Sequence, residues 1–265
     1  MLYSDSRPTS RRCLQLFAAG CFVLAALLTV VNGIRASYII GPTSHPITPS
    51  TGTPAFVQTA GTSSGAGPTL TLSFGSLPAV AHVVIVAVAS NGAAGLDGSD
   101  SITDNQSNAY ARVNFSPKNT LIRIALWCAP VTTSSGTFTI TSTFSAADLA
   151  TVFALEYSGA TCNPEKIADV SSQSTSPYSC GSITTVNARD LLLAFVNTPL
   201  STGTINYTAP TGFTIRQSQG VIATGRTGSI ADDIVSATNT FSPAYVADQN
   251  LANSSCLVVA LISGN

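Results

Sequence analysis

Short apolar runs recur along the chain from Ala55 onward, and they constrain the fold more than any other feature of the sequence. Most are roughly five to ten residues long, rich in Val, Ile, Thr and Phe, and separated by Gly, Asn, Ser or Pro. None keeps the period of an amphipathic helix, so the pattern predicts many short β-strands joined by turns. The runs are TLTLSF, HVVIVAVAS, LIRIALWCA, TFTITSTF, LATVFALEYSG, DLLLAFVN, GFTIRQS, SIADDIVS and CLVVALIS.

This pattern predicts an all-β fold, a two-sheet antiparallel β-sandwich formed by residues 55–265. TFTITSTF alternates between apolar and polar residues, as expected of a strand with one face in water. Three other strands, 83–89, 191–196 and 257–262, are apolar on both faces and should be central. Their outer faces, with small residues such as Ala87, Ala89 and Ala194, either dock another molecule or self-associate, or lie under the loops 160–182 and 198–211.

Composition narrows the class of function. Only 9% of the residues are charged, compared with about 25% in an average soluble domain. Ser, Thr and Gly supply the polarity, which is typical of secreted and surface-displayed β proteins. The formal net charge is -1 and the basic residues after the first segment are scattered singly, so no nucleic-acid partner is expected.

The amino-terminal segment predicts export. Arg7, Arg11 and Arg12 precede the apolar run 13–31, so residues 1–36 form a signal peptide, or a membrane anchor if this segment is not cleaved. In both cases the rest of the chain faces outward. Residues 37–54 are a Ser/Thr/Pro-rich spacer, and the predicted location is extracellular or on the cell surface, with no other contact with the membrane.

Four cysteines follow the leader, and an exported protein would be expected to pair them. Cys162 and Cys180 flank a polar Ser/Pro-containing stretch and are predicted to form one disulfide. Cys128 and Cys256 remain, both in apolar strands, and they are predicted to pair or to stay as buried thiols. Four cysteines allow three pairings, so the connectivity is an expectation from placement alone.

The stretch SITDNQSNAYARV, residues 101–113, concentrates polar side chains between two strands. Asp and Asn in such a position bond their own backbone, which predicts a hairpin turn. The alternative is a structural calcium ion held by Asp97, Asp100 and Asp104, although their spacing lacks the pattern of a calcium-binding loop. No other cofactor is predicted.

Two further sets of residues could carry binding or chemistry. Trp127 and Arg123 share one face of their strand and could stack against a sugar, or Trp127 could cover an apolar patch. Glu156 lies in an apolar strand and could serve as the acid of a polysaccharide-cleaving enzyme. Its partner carboxylate would be Asp104, Asp232 or Asp233. His82 opens a strand without any nucleophile motif, which favours a surface histidine.

Several turn and strand motifs resemble, in order, an uncharacterised group of bacterial secreted and surface β-sandwich domains. The resemblance implies a jelly-roll-like layout and an extracellular role, and it carries no catalytic residues. A non-catalytic structural or adhesion module is the expected function, and a carbohydrate-binding module is the alternative. The expected partner is a cell-surface glycan or another surface protein. The motifs are SITDNQSNAY, ALEYSGA, TGFTIR, ADDIVSA and CLVVALIS.

Overall fold

The computed structural model of the protein describes residues 52–90, 100–116, 122–199, 203–221 and 226–264. The predicted signal or anchor segment and most of the spacer lie outside these ranges. Within them the chain is all-β and every strand pair is antiparallel. No helix in the described ranges has the length and apolarity that a membrane span requires.

The strands are β1 (Ala55–Ser73), β2 (Val83–Ser90), β3 (Ser101–Asp104), β4 (Ala111–Ser116), β5 (Arg123–Pro130), β6 (Thr139–Ser158), β7 (Ala160–Gln173), β8 (Tyr178–Ser179), β9 (Ile183–Thr184), β10 (Leu191–Thr198), β11 (Tyr207–Thr208), β12 (Thr214–Gln219), β13 (Thr227–Ile234), β14 (Thr240–Phe241), β15 (Ala244–Ala247) and β16 (Ser254–Ser263).

The first large sheet, sheet one, has the order β1-β6-β2-β5-β4. Its organiser is the long strand β6, which pairs with β1 along most of its length. On its other edge β6 pairs with β3 near its start and with β2 near its end. Because one strand serves three partners, the residues of β6 fix the register of most of this sheet.

The second large sheet, sheet two, has the order β12-β13-β10-β16-β7. The chain passes from sheet one to sheet two at Gly159, which separates β6 from β7 and has a φ of 63°. A Cβ atom at this position would lie 2.5 Å from the carbonyl oxygen of Thr53. Only glycine combines this left-handed conformation with such a close approach, which explains the glycine of the E-Y-S-G stretch.

One apolar core contains side chains of both large sheets. Alternate residues of β2, β5 and β6 from sheet one contribute to it together with alternate residues of β10 and β16 from sheet two. Full burial of one such side chain stabilises the fold by about 1.5–3 kcal/mol. Members without solvent exposure include Ile85, Leu126, Phe153, Leu155, Leu193, Phe195, Leu257 and Val259.

The outer faces of the central strands are buried as well. On sheet one, Val84, Val86 and Val88 join a second core that Phe74 and Phe138 complete. On sheet two, alternate residues of β10, β13 and β16 join a third core, together with residues of the shorter segments that surround β8, β11 and β15. The outer faces of these strands are therefore not bare docking surfaces. Parts of both predicted covering loops, around Tyr178 and Ile205, lie over sheet two, but residues 160–173 form β7 and other segments cover sheet one. Ala87 and Ala89, predicted to lie on the outer face, belong to the core shared by the two sheets. The residues that cover sheet two include Tyr178, Ile183, Ile205, Phe213 and Tyr245.

A buried carboxylate ties the two large sheets together at one point. Asp232 of β13 accepts hydrogen bonds from Nε of Arg216, at 2.8 and 2.9 Å, and from the hydroxyl of Tyr157 of β6, at 2.9 Å. The guanidinium of Arg216 also lies 4.2 Å from the ring centroid of Phe56. Burial, followed by the charge of Asp232, raises the pKa of Tyr157, so the phenol stays protonated and keeps donating.

The disulfides differ from the predicted pairing. Cys128 is bonded to Cys162, and Cys180 is bonded to Cys256. The stretch after Cys162 was expected to be a loop closed by Cys180, but it forms strand β7, which carries the chain away from Cys162. The first disulfide therefore connects β5 of sheet one to β7 of sheet two, and the second connects β16 to the segment that covers sheet two.

Breaking either disulfide should destabilise the protein. The bridges span sequence separations of 34 and 76 residues, and the chain-entropy relation assigns about 4 kcal/mol to each. We expect the Cys128→Ala/Cys162→Ala double variant to lose up to that amount of unfolding free energy in chemical denaturation. Non-reducing peptide mapping of the unaltered protein provides the control, since finding a peptide that joins Cys162 to Cys180 would contradict the connectivity.

Candidate functional site

The polar stretch after β3 is a turn, as its sequence predicts, but it is not the tip of a hairpin, because β3 pairs with β6 and β4 pairs with β5. One carboxylate oxygen of Asp104 accepts the main-chain N–H groups of Gln106 and Asn108, at 2.9 and 3.1 Å. The side-chain oxygen of Asn108 in turn accepts the N–H groups of Thr132 and Thr133, at 2.7 and 3.1 Å. These bonds attach the turn to the segment before β6, so its polar side chains have a structural role.

The predicted calcium ligands are only partly described. Asp97 lies outside the described residues, so the site that it would form with Asp100 and Asp104 stays a prediction. Oδ1 of Asp100 lies 3.4 Å from the guanidinium of Arg112, and both oxygens of Asp104 accept N–H donors from Gln106 or Asn108 in the turn after β3. In the part of the chain that the structure describes, no group of three or more His, Cys, Asp or Glu side chains is placed to hold a metal.

Trp127 packs against the outer face of sheet one and is only 9% exposed. The guanidinium of Arg112 lies 5.4 Å from the ring centroid, so a cation of the chain itself occupies one face of the indole. Arg123 begins the same strand, β5, and is partly exposed. The structure thus places Trp127 as a covering residue, and it does not present an open stacking platform together with Arg123.

Glu156 is 1% exposed and is bonded through both of its carboxylate oxygens. Its Oε1 accepts the N–H of Ala79 at 2.8 Å and lies 2.6 Å from Nδ1 of His82, and its Oε2 accepts Nε2 of Gln58 at 2.6 Å. These contacts hold the turn that leads into β2. The carboxylate is therefore matched by donors on both oxygens, which is the arrangement that a buried structural acid requires.

The structure does not pair Glu156 with the carboxylates proposed as its catalytic partners. Asp232 bonds to Tyr157, the next residue along β6, and successive side chains of a strand point to opposite faces. Glu156 therefore points away from sheet two, whereas Asp232, which belongs to sheet two, approaches sheet one on the opposite side. Among the described contacts of Glu156 there is none with Asp104 or Asp233.

A concave surface among the described residues surrounds Phe241, and we call it the Phe241 groove. It consists of two adjoining hollows of about 260 and 270 Å³ that share this ring. Polar side chains are prominent in the lining, with Asp233, Thr238 and Asn239 in the first hollow and Thr240 in the second. The remaining lining residues are Ile234, Val235, Ser236 and Ala237 in the first hollow and Thr211, Phe213, Ser242, Pro243 and Ala244 in the second.

Short strand pairings position this groove over sheet two. Phe241 of β14 pairs with Ile183 of β9, and the N–H of Thr185 donates to the carbonyl of Asn239 at 3.0 Å. Gly212 lies beside Asp233, since a Cβ atom on this glycine would be 3.4 Å from the carboxylate. Burial raises the pKa of Asp233, the N–H of Ile234 opposes the rise, and the charge of Asp232 adds to it.

The chemistry of the groove is that of a polar binding surface. Hydroxyl and amide side chains can donate and accept hydrogen bonds, Asp233 can accept them, and the ring of Phe241 offers an apolar face. The sequence indicates Asp233 only as a possible catalytic acid, and no local pattern distinguishes Phe241 or Asn239.

Comparison with protein-family models, with curated proteins and with solved structures finds no match. The resemblance to secreted and surface domains therefore remains an interpretation of the sequence motifs.

The Glu156→Gln substitution tests whether this acid is structural. The amide that replaces the carboxylate would place an N–H donor where an oxygen now accepts one, and the charge-assisted bonds to Gln58 and His82 would weaken. We expect the unfolding free energy to fall by about 2 kcal/mol, measured by urea denaturation. Asp248→Asn is the control, because that acid is on the surface and bonds only to Asn206 among its described contacts. An unchanged midpoint for Glu156→Gln would show that the bonds contribute nothing to stability.

Proposed function

We propose that this chain is an exported, non-catalytic β-sandwich of jelly-roll-like layout that acts as a structural or adhesion module at the cell surface. Its partner would be a surface glycan or another surface protein. Residues 1–36 would direct export, and they would tether the module if they are not cleaved. The spacer 37–54 would then separate the module from the membrane.

The observation that carries this proposal is the placement of the two disulfides. One links the two large sheets and the other links sheet two to the segment that covers it. Disulfides persist in oxidising compartments, so both bridges are consistent with an extracellular location. They also cross-link both large sheets and the cover of sheet two, which suits a protein that must keep its shape outside the cell under load.

The sparse charge of the chain supports the same proposal. Only 9% of its residues are charged, and the polarity comes mainly from Ser, Thr, Asn and Gly. Such a chain exerts little long-range electrostatic attraction, so contacts with neutral polymers or neutral protein surfaces fit it better than contacts with strongly charged partners.

Carbohydrate binding is the second candidate function, and the Phe241 groove favours it. Its two hollows together could accommodate a short saccharide, with Phe241 between them and Asp233 and Asn239 at one end. This candidate replaces the surface formed by Trp127 and Arg123, because the indole is buried under Arg112.

One adhesion experiment separates the two candidates. We expect beads coated with the exported protein to adhere to cells that display it, and to do so more strongly than beads coated with reduced and alkylated protein. The variants Phe241→Ala and Asp233→Asn remove the central ring and the acid of the groove, whereas Leu77→Ala alters an exposed apolar residue between β1 and β2 as the control.

The variants decide how adhesion occurs. Adhesion that survives both groove variants supports the structural or adhesion module, and adhesion lost in both but retained in Leu77→Ala, with matching loss of signal on a glycan array, supports carbohydrate binding. Failure of the native protein to adhere above the reduced control contradicts both.

A further inference from the structure

A pair of carboxylates at one edge of sheet two lacks the donors that match Glu156 and Asp232. Glu165 lies in β7, and Asp190 immediately precedes β10. Residue 165 is the extra residue of a β-bulge, because Ala260 pairs with Lys166 and Leu261 pairs with Pro164. A bulge redirects the side chain that it carries, and here it brings Glu165 next to Asp190.

Glu165 is held by one oxygen only. Its Oε1 accepts the main-chain N–H groups of Val186 and Asn187, at 2.9 and 3.1 Å, and Nδ2 of Asn187, at 2.7 Å. Its Oε2 is buried and accepts no hydrogen bond. The three donors on Oε1 fix the orientation of the carboxylate, and they leave Oε2 as a preoriented, unmatched oxygen.

Asp190 has no solvent exposure, and both of its carboxylate oxygens are buried without a hydrogen bond. Burial, followed by the neighbouring carboxyl of Glu165, raises its pKa to about 7, and the main chain of Ser263 acts in the opposite direction. A fully buried acid without hydrogen-bond partners is rare in native proteins. A bound ion is one recognised explanation for such an acid.

Three carboxylate oxygens therefore meet without donors: Oε2 of Glu165 and both oxygens of Asp190. A single shared proton would bridge one oxygen of each residue, but the buried pair would keep one negative charge, opposed by the main chain of Ser263. The basic residues next to them in sequence, Lys166 and Arg189, are exposed, and no ion pair links either to these acids in the described ranges. A divalent cation can contact all three oxygens and neutralises both charges.

We propose that Glu165 and Asp190 form the protein-side ligands of a hard divalent cation, with Ca²⁺ as the best match. Calcium takes six to eight oxygen ligands, accepts both one-oxygen and two-oxygen carboxylate binding, and completes its shell with main-chain carbonyls and water. Two carboxylates therefore suffice as the charged part of such a site. The ion would fasten β7, the edge strand of sheet two, to the turn that precedes the central strand β10.

This site differs from the calcium loop that the sequence suggested at Asp97, Asp100 and Asp104. It is also independent of the adhesive function proposed above, because neither Glu165 nor Asp190 lines the Phe241 groove.

Thermal unfolding of the EDTA-treated full-length protein at pH 8, with and without added CaCl₂, tests the proposal. We expect Ca²⁺ at about 100 times its Kd to raise Tm by about 5 °C, and calorimetric titration to give one ion per chain. Asp190→Asn and Glu165→Gln should abolish this response, whereas Asp248→Asn, which alters an exposed acid elsewhere, should retain it. Without calcium, Asp190→Asn should unfold at or above the Tm of the native protein, since it removes a repelling charge.

Two results would overturn the proposal. One is a native protein whose Tm does not respond to Ca²⁺, Mg²⁺ or Mn²⁺ after EDTA treatment, which would leave only a proton shared between the two acids. The other is a full calcium response in either ligand variant, which would place the ion elsewhere. Because the two variants alter different segments and are each isosteric, failure of one to fold leaves the other as the test.

Discussion

The central strands β2, β10 and β16 bury side chains on both faces, and the rest of the structure depends on this constraint. Packing the two large sheets on each other buries only one face of each strand. Their opposite faces carry residues such as Val86 and Val258, which would be in water in a structure of two bare sheets. The long excursions between β7 and β10, between β10 and β12, and between β13 and β16 supply the side chains that cover sheet two.

Because so much of the chain is buried, buried polar side chains need hydrogen-bond partners within the chain. Asp232 is matched by Arg216 and Tyr157, and Glu156 by its three donors. Each is a carboxylate whose loss of water is offset by charge-assisted hydrogen bonds. The pair formed by Glu165 and Asp190 departs from this rule, and that departure is the reason to assign it a ligand.

Local patterns in the sequence predict the strands and the turn after β3, because alternation, doubly apolar runs and turn-forming Asp and Asn all act over a few residues. They do not predict strand pairing, since β3 and β4 join different neighbours and do not form the expected hairpin. The polar stretch after Cys162 is predicted to be a loop, yet residues 163–173 belong to β7, the edge strand of sheet two. Charged side chains such as Lys166 are tolerated there because the outer edge of this strand faces solvent. The incorrect disulfide pairing followed from that single misassignment.

The candidate sites could not be predicted for a different reason. The Phe241 groove combines the segments 211–213, 233–239 and 240–244, and Phe241 has no local signal that separates it from a core residue. Glu165 and Asp190 meet only because a bulge in β7 and the turn before β10 converge. Both sites arise from tertiary contacts between stretches whose relative placement is set by strand order, which no short window of sequence encodes.

The architecture requires the outer face of sheet two to be as fully buried as its inner face. Val258 and Val259 are neighbours in β16, both without solvent exposure, and they point to the third core and to the shared core respectively. Chemical denaturation of Val258→Ala and Val259→Ala measures the two faces directly. We expect each substitution to lower the unfolding free energy by about 2 kcal/mol. A negligible loss for Val258→Ala beside a clear loss for Val259→Ala would contradict this architecture.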